Sequence, residues 1–201
     1  MSYDEVIPYE PWCAPELPEK GDIALDIGAC LGIYTLGLAR THRQVWAFEP
    51  NPDAFVQLTK NTSQKANVIR CNFALSSEYG YLRLYTYLYG PGLTSDTVLP
   101  GVERGAPIGN FYTAAVPLDV LSFDGHVSFV KMDTEGAELR ILQGARSLLT
   151  THHPKLLIET HGNVPAVRAL LEEYGYRTRV VRYAFDEGTP HHDDYLWLAA
   201  K

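Results

Sequence analysis

Apolar positions in this chain fall into short runs that alternate with amphipathic stretches. Ile23, Ala24, Leu25 and Ile27 form a run bounded by Gly21 and Gly28, the mark of a buried strand. Ile33, Tyr34, Leu36, Leu38 and Ala39 follow at helical spacing. Gln44 to Phe48 is a second short strand, after which Asn51 can cap a helix and Pro52 suits its first turn. Ala54, Phe55 and Leu58 mark that helix's buried face. Asn67 to Phe73 is a third strand, Phe111 to Val116 another, and Val127 to Met132 a core strand ending at Asp133. Thr134-Glu135-Gly136 turns the chain into a helix with Ala137, Ile141, Leu142, Ala145, Leu148 and Leu149 on one face. Lys155 to Ile158 is the next strand. A helix from Asn163 and Pro165 follows, with Val167, Leu170, Leu171 and Tyr174 inward and Gly175 as its stop. Tyr176 to Tyr183 and Tyr195 to Ala199 close the chain as strands with no helix between them, so they should pair antiparallel. Such alternation predicts a mostly parallel sheet with helices on both faces.

Two stretches depart from that rhythm. Tyr79, Tyr81, Tyr85, Tyr87 and Tyr89 share one parity, with Leu82, Leu84 and Leu88 on the other. They describe a strand with a tyrosine side, either an aromatic platform for an acceptor or a rim beneath the N-terminal arm. Residues 90 to 110, rich in glycine and proline, read as one long loop, the candidate acceptor lid.

The stretch from Gly21 to Leu38 carries the first chemistry. Strand, glycine turn and helix in that order place a ligand at the strand's carboxyl end. Asp26 sits near the strand's end, where a carboxylate is costly to bury without a partner. The spacing is Asp26-x-Gly28-x-x-x-Gly32, with Cys30 where a dinucleotide fingerprint needs a second close glycine. It is similar to the first motif of S-adenosylmethionine-dependent methyltransferases, whose turn holds the cofactor's amino-acid end; alternatively the glycines serve packing alone. Glu49 ends the second strand about 20 residues past the turn, where such folds bind ribose hydroxyls. It could instead cap a neighbouring helix. Asn72 lies where related folds present a polar group to adenine.

Composition narrows the partners. The 201 residues suit one domain, 21–201, preceded by a proline- and aromatic-rich arm over 1–20. The formal charge is −7 and there is no basic run, which argues against nucleic acid. No apolar run approaches a membrane span. Cys13, Cys30 and Cys71 lack metal-ligand spacing and read as reduced thiols of a cytoplasmic protein. Oligomeric state is not legible.

Five stretches in order, DIGACLGIYTLGLA, AFEPNPDAFVQLTKN, NFALSS, FVKMDTEGAELRILQGA and IETHG, resemble the FkbM family of methyltransferases. The resemblance implies a Rossmann-like class I methyltransferase fold, with seven strands in the order 3-2-1-4-5-7-6. It implies S-adenosyl-L-methionine as cofactor and O-methylation of a hydroxyl or carboxyl on a small molecule, sugar or lipid-linked glycan. Residue by residue, it implies cofactor binding by Asp26, Gly28, Gly32, Glu49, Asn72 and Asp133, with Asp133 and Glu135 the acidic pair after strand four.

Methyl transfer from a sulfonium needs an acceptor oxygen held in line and, for a hydroxyl, a base. Asp133, Glu135 and His161 fall at carboxyl ends of the central strands, and His161 is the natural base because histidine titrates near neutral pH. It could equally be satisfied by strand-end backbone groups. No metal is expected, and His191-His192-Asp193-Asp194 reads as a polar turn. The rival readings are a nicotinamide-dependent oxidoreductase and a non-catalytic cofactor-binding module.

Overall fold

The computed structural model describes residues 20–88, 94–98, 106–161, 164–181 and 194–200. Residues 1 to 19 of the N-terminal arm, Asn163 and residues 191 to 193 of the polar turn lie outside them. The chain opens with β1 (Gly21–Ile27), α1 (Ile33–Thr41), β2 (His42–Phe48), α2 (Pro52–Asn61) and β3 (Val68–Cys71). β4 (Ala74–Leu75), β5 (Gly80–Leu88), β6 (Thr94–Thr97) and β7 (Gly109–Val116) come next. The second half holds β8 (Val127–Asp133), α3 (Glu138–Gln143), α4 (Arg146–His152), β9 (Lys155–His161), α5 (Val164–Glu173), β10 (Arg177–Val181) and β11 (Asp194–Ala200).

Seven strands form the main sheet in the order β10-β11-β9-β8-β1-β2-β3. β3, β2, β1, β8 and β9 are parallel, while β11 runs antiparallel to both β9 and β10. Alternate side chains of a strand face opposite sides, and both sides here are covered, which is why the strands read as unbroken apolar runs. Leu25, Ile27, Val130, Met132 and Ile158 pack with Ile141, Leu148, Val167 and Leu171 of the later helices. Ala24, Val45, Ala47, Phe129 and Leu157 pack against Leu38 of α1 and Leu58 of α2. This is the helix-flanked, mostly parallel Rossmann-like sheet that the alternation predicts.

Four features differ from the sequence reading. The third strand ends at Cys71 rather than Phe73, and β4 leaves it for a second, four-stranded sheet in the order β4-β7-β5-β6. The sequence reading contains two of its strands, β5 and β7, but not their assembly into a separate sheet. Residues 90 to 110 are not one loop, because β6 pairs antiparallel with β5 inside that stretch. The helix expected from Ala137 to Leu149 is broken at Gly144, where a Cβ would lie 2.1 Å from the Ser76 carbonyl oxygen. Asp119 explains the restart: its carboxylate accepts from the Ser147 and Leu148 N–H groups at 2.8 Å, capping α4 from a neighbouring 3-10 turn. Lastly, the tyrosine side of β5 is not uniform. Tyr81 is 80% exposed and Tyr87 is buried, so one face runs from solvent into the core.

Candidate active site

The turn after β1 is built by backbone contact. Gly28 takes φ 77, and a Cβ there would lie 1.8 Å from the Asp133 carbonyl oxygen. Only glycine lets the exit of β1 touch the end of β8 in this way. The Gly28 and Ala29 N–H groups both donate to the Phe48 carbonyl at 3.0 Å, tying the turn to the end of β2. Cys30 follows at φ 48, its thiol pushed up to about 11 by burial and by the nearby Glu49 charge, so it stays protonated. Gly32 has a different duty. It precedes α1 with a left-handed backbone, and a Cβ there would press on Leu58 of α2 at 2.7 Å.

Glu49, at the end of β2, is 6% exposed. Its Oε2 accepts from Cys30 N–H and its Oε1 from Asn51 N–H, each at 2.8 Å. Burial raises its pKa to about 7; the two N–H donors oppose that rise and the Asp96 charge adds to it. Asn51 caps α2 through Oδ1, as expected, and its side-chain amide donates to Asp96 Oδ2 at 2.5 Å. Asn72 is exposed, and its amide donates to the Glu49 and Pro50 carbonyls at 2.8 and 3.3 Å. It braces the Glu49 backbone from outside.

Beneath the turn lies a buried ion pair. Asp26 is fully buried; its Oδ2 accepts from Thr35 Oγ1 at 2.5 Å and its Oδ1 faces Lys131 Nζ at 3.7 Å. Burial pushes the Asp26 carboxyl up, against the pull of Lys131 and Thr35. Lys131 itself is 6% exposed. Its ammonium donates to the Gly28 carbonyl at 3.0 Å, lies 3.6 Å from Asp133 Oδ2, and sits 4.9 Å from the centre of the Tyr34 ring. Burial alone would discharge it, but the carboxylates of Asp133, Asp26 and Glu159 hold it protonated, above its ordinary range. Sequence reasoning passed over Lys131. A lysine inside the apolar run VSFVKM was the available signal, because such a charge is not buried without partners.

After β8 the chain turns through Glu135 at φ 54 and Gly136 at φ 106. Glu138 caps this turn. Its Oε1 accepts from Thr134 N–H, Thr134 Oγ1 and Gly136 N–H at 2.9 to 3.2 Å. Thr97 of β6 donates to the Glu135 carbonyl, so the second sheet is fastened to this turn. His161 ends β9, two residues past Glu159, which pairs with Asp133 across the strands. The His161 side chain lies outside the described residues.

These pieces surround a cavity of about 430 Å³ at the carboxyl ends of β1, β2 and β8. Gly28, Cys30, Glu49, Asp133 and Glu135 line it; Asp26, Gly32 and Asn72 are not among its lining residues. Asp53 of α2 and Asp96 of β6 also line it, and sequence reasoning found neither. Leu75, Leu82 and Leu84, contributed by the second sheet, form part of its apolar wall. With five carboxylates and no lysine, arginine or histidine among its described lining residues, beside an apolar wall, the cavity suits a ligand that carries positive charge and also presents apolar surface. Among the described residues no group of three or more His, Cys, Asp or Glu could hold a metal ion.

The proteins to which this chain is similar are methyltransferases. Residues 26–178 match the methyltransferase FkbM domain. The hexuronic acid methyltransferase AglP of Haloferax volcanii is 30% identical over 178 residues, covering 86% of this chain and 70% of the relative. The crystal structure of the FkbM methyltransferase from Methylobacillus flagellatus KT superposes with a TM-score of 0.62 at 19% identity. That match covers 92% of this chain but only 45% of the larger protein. Fibrillarin from Aeropyrum pernix, solved with S-adenosyl-L-methionine natively bound, gives a TM-score of 0.56 at 13% identity, over 96% of this chain and 72% of the other. With a helix-flanked parallel sheet, an acid-lined cavity at its carboxyl edge and a domain match over most of its length, this chain is a methyltransferase of the FkbM family.

Proposed function

We propose that this cavity binds S-adenosyl-L-methionine and that the chain methylates an oxygen, a hydroxyl or carboxyl, on a sugar or other small-molecule acceptor. The observation that carries the cofactor assignment is the setting of Glu49. Its carboxylate uses two of about four acceptor sites on Cys30 and Asn51 N–H, which leaves capacity for two vicinal hydroxyls. A ribose at Glu49 puts the rest of the cofactor across Gly28 towards Asp133, where a carboxylate suits an ammonium group. Counting only the main sheet's strands in chain order, its arrangement reads 3-2-1-4-5-7-6, which supports the class I methyltransferase reading.

The bound cofactor would supply an electrophilic methyl on a sulfonium. The protein's part is to hold an acceptor oxygen in line and, where that oxygen is a hydroxyl, to accept its proton. Asp133 and Glu135 line the cavity at the end of β8, and His161 ends the neighbouring strand; these three are the proposed catalytic residues. Asp26, Gly32 and Asn72 take supporting rather than contacting roles towards the cofactor. A sugar acceptor is favoured by the likeness to a hexuronic acid methyltransferase.

The test is incubation with methyl-labelled cofactor and a panel of uronic acids, neutral sugars, short glycans, nucleic acid and protein, read by mass spectrometry. Label on a sugar oxygen supports the proposal. Label appearing only on nucleic acid or protein would overturn the acceptor class. Absence of calorimetric binding of the cofactor would overturn the cavity assignment itself.

A further inference from the structure

We propose that Lys131 is a positioning residue for the cofactor's amino-acid end, clamping the Gly28 turn and the Asp133 carboxylate into one rigid cradle. The inference rests on the cofactor reading above.

Three observations converge on it. First, Gly28 and Asp133 both line the cavity, one in the turn after β1 and the other at the end of β8, and touch through backbone, since a Cβ on Gly28 would meet the Asp133 carbonyl oxygen at 1.8 Å. Second, Lys131 reaches both from beneath: its ammonium donates to the Gly28 carbonyl at 3.0 Å and stands 3.6 Å from Asp133 Oδ2. Third, Lys131 is buried, and its ammonium is surrounded by partners on other elements. Asp26 on β1 stands 3.7 Å from it and the Tyr34 ring on α1 4.9 Å, and the charge of Glu159 on β9 adds to the pull that keeps it protonated.

A lysine needed only for folding would be a poor choice here, because a buried ion pair can often be replaced by apolar groups without loss of stability. What the charge adds is geometric. A carboxylate at the end of a strand has rotamer freedom, and an ammonium fixed by a backbone carbonyl orients it, as the outer partners of metal ligands orient those ligands. The cradle's two walls are then set by one side chain. Glu49, on the far side of β1, is positioned instead by its own N–H donors; Lys131 reaches it only through charge, as the last of the influences on its ionisation, so the titrations are run at one pH above 8 where Glu49 is ionised.

The test exploits that separation. Lys131→Met is one variant; Lys131→Met with Asp26→Asn is the second, which removes both buried charges and keeps the core neutral. Each is titrated by calorimetry with S-adenosylmethionine and with methylthioadenosine, which carries the nucleoside but no amino-acid end. In the double variant S-adenosylmethionine should bind about tenfold more weakly, with methylthioadenosine within about twofold of wild type. Equal weakening of both ligands, at an unchanged unfolding midpoint, would show a general distortion of the cavity and overturn the proposal. So would unchanged affinity for both. If wild type itself binds neither ligand, the cofactor assignment fails first, and the two failures are told apart.

Discussion

Glu49 shows how much a single environment changes a residue. A carboxyl whose pKa is raised to about 7 is largely neutral at pH 5 and ionised at pH 8 in the free protein. Its folded pKa lies above the unfolded value, so this group favours folding below the unfolded pKa and that contribution is lost as pH rises towards 7. Wild type should therefore lose up to about 3 kcal/mol between pH 4.5 and pH 8 that Glu49→Gln does not lose. Urea unfolding of both proteins at the two pH values checks this, and parallel losses would remove the raised pKa. Cofactor affinity should move the other way. The ionised form is the better acceptor for ribose hydroxyls, so wild-type binding should tighten from pH 6 to pH 8. At pH 8, Glu49→Gln should weaken it by about 1.5–3 kcal/mol. The sequence made the place of Glu49 at the end of β2 legible, because it follows from spacing after the glycine turn, and the proposed ribose-binding role rests on that place. The roles of Asp26, Lys131 and Glu138 were not legible. Their partners lie on other elements or arise from a turn conformation, and a one-dimensional pattern carries neither kind of information.

At the scale of elements, β6 matters most. Its sequence, TSDT, has no apolar alternation, so no strand signal was there to read; the ladder to β5 and the bonds of Asp96 and Thr97 make it a strand. Asp96 joins Thr86 on β5 to Asn51 at the start of α2, and its charge is one reason that Glu49 is hard to ionise. Asp96→Asn should therefore lower the pH at which cofactor binding tightens, read from calorimetry across pH 5 to 8. An unmoved midpoint would detach Asp96 from Glu49. The broken helix makes a different kind of prediction. Gly144 is where α3 yields to α4, and a methyl there would press on the Ser76 carbonyl. Alanine favours helix on propensity, yet Gly144→Ala should destabilise by roughly 1–3 kcal/mol because backbone must shift to admit it. A gain in urea stability would show that the break is propensity rather than packing. Periodicity could not reveal this, since Ala145, Leu148 and Leu149 keep in phase with the earlier turn and are all buried.

For the whole molecule, the main sheet was legible because its strands are covered on both faces and read as plain apolar runs. The second sheet was not, since its parity pattern is split between solvent, cavity and core: Tyr81 is exposed, Leu82 and Leu84 line the cavity, and Tyr87 is buried. Overall charge then bears on turnover. The chain carries a formal −7, and five carboxylates line the cavity. S-adenosylmethionine carries a sulfonium, an ammonium and a carboxylate, a net positive charge; after transfer the sulfonium becomes a neutral thioether and the net charge is lost. An acidic cavity therefore holds the donor more tightly than the product, and the difference is electrostatic. Salt screens exposed charges over about 10 Å at 0.1 M and about 3 Å at 1 M. The donor-to-product affinity ratio should accordingly fall several-fold from 0.05 to 1 M salt, mainly through weaker donor binding. Calorimetry with S-adenosylmethionine and S-adenosylhomocysteine at pH 8, where Glu49 is ionised, measures it directly. A ratio that stays constant across that range would mean that the carboxylates orient the cofactor without discriminating donor from product by charge.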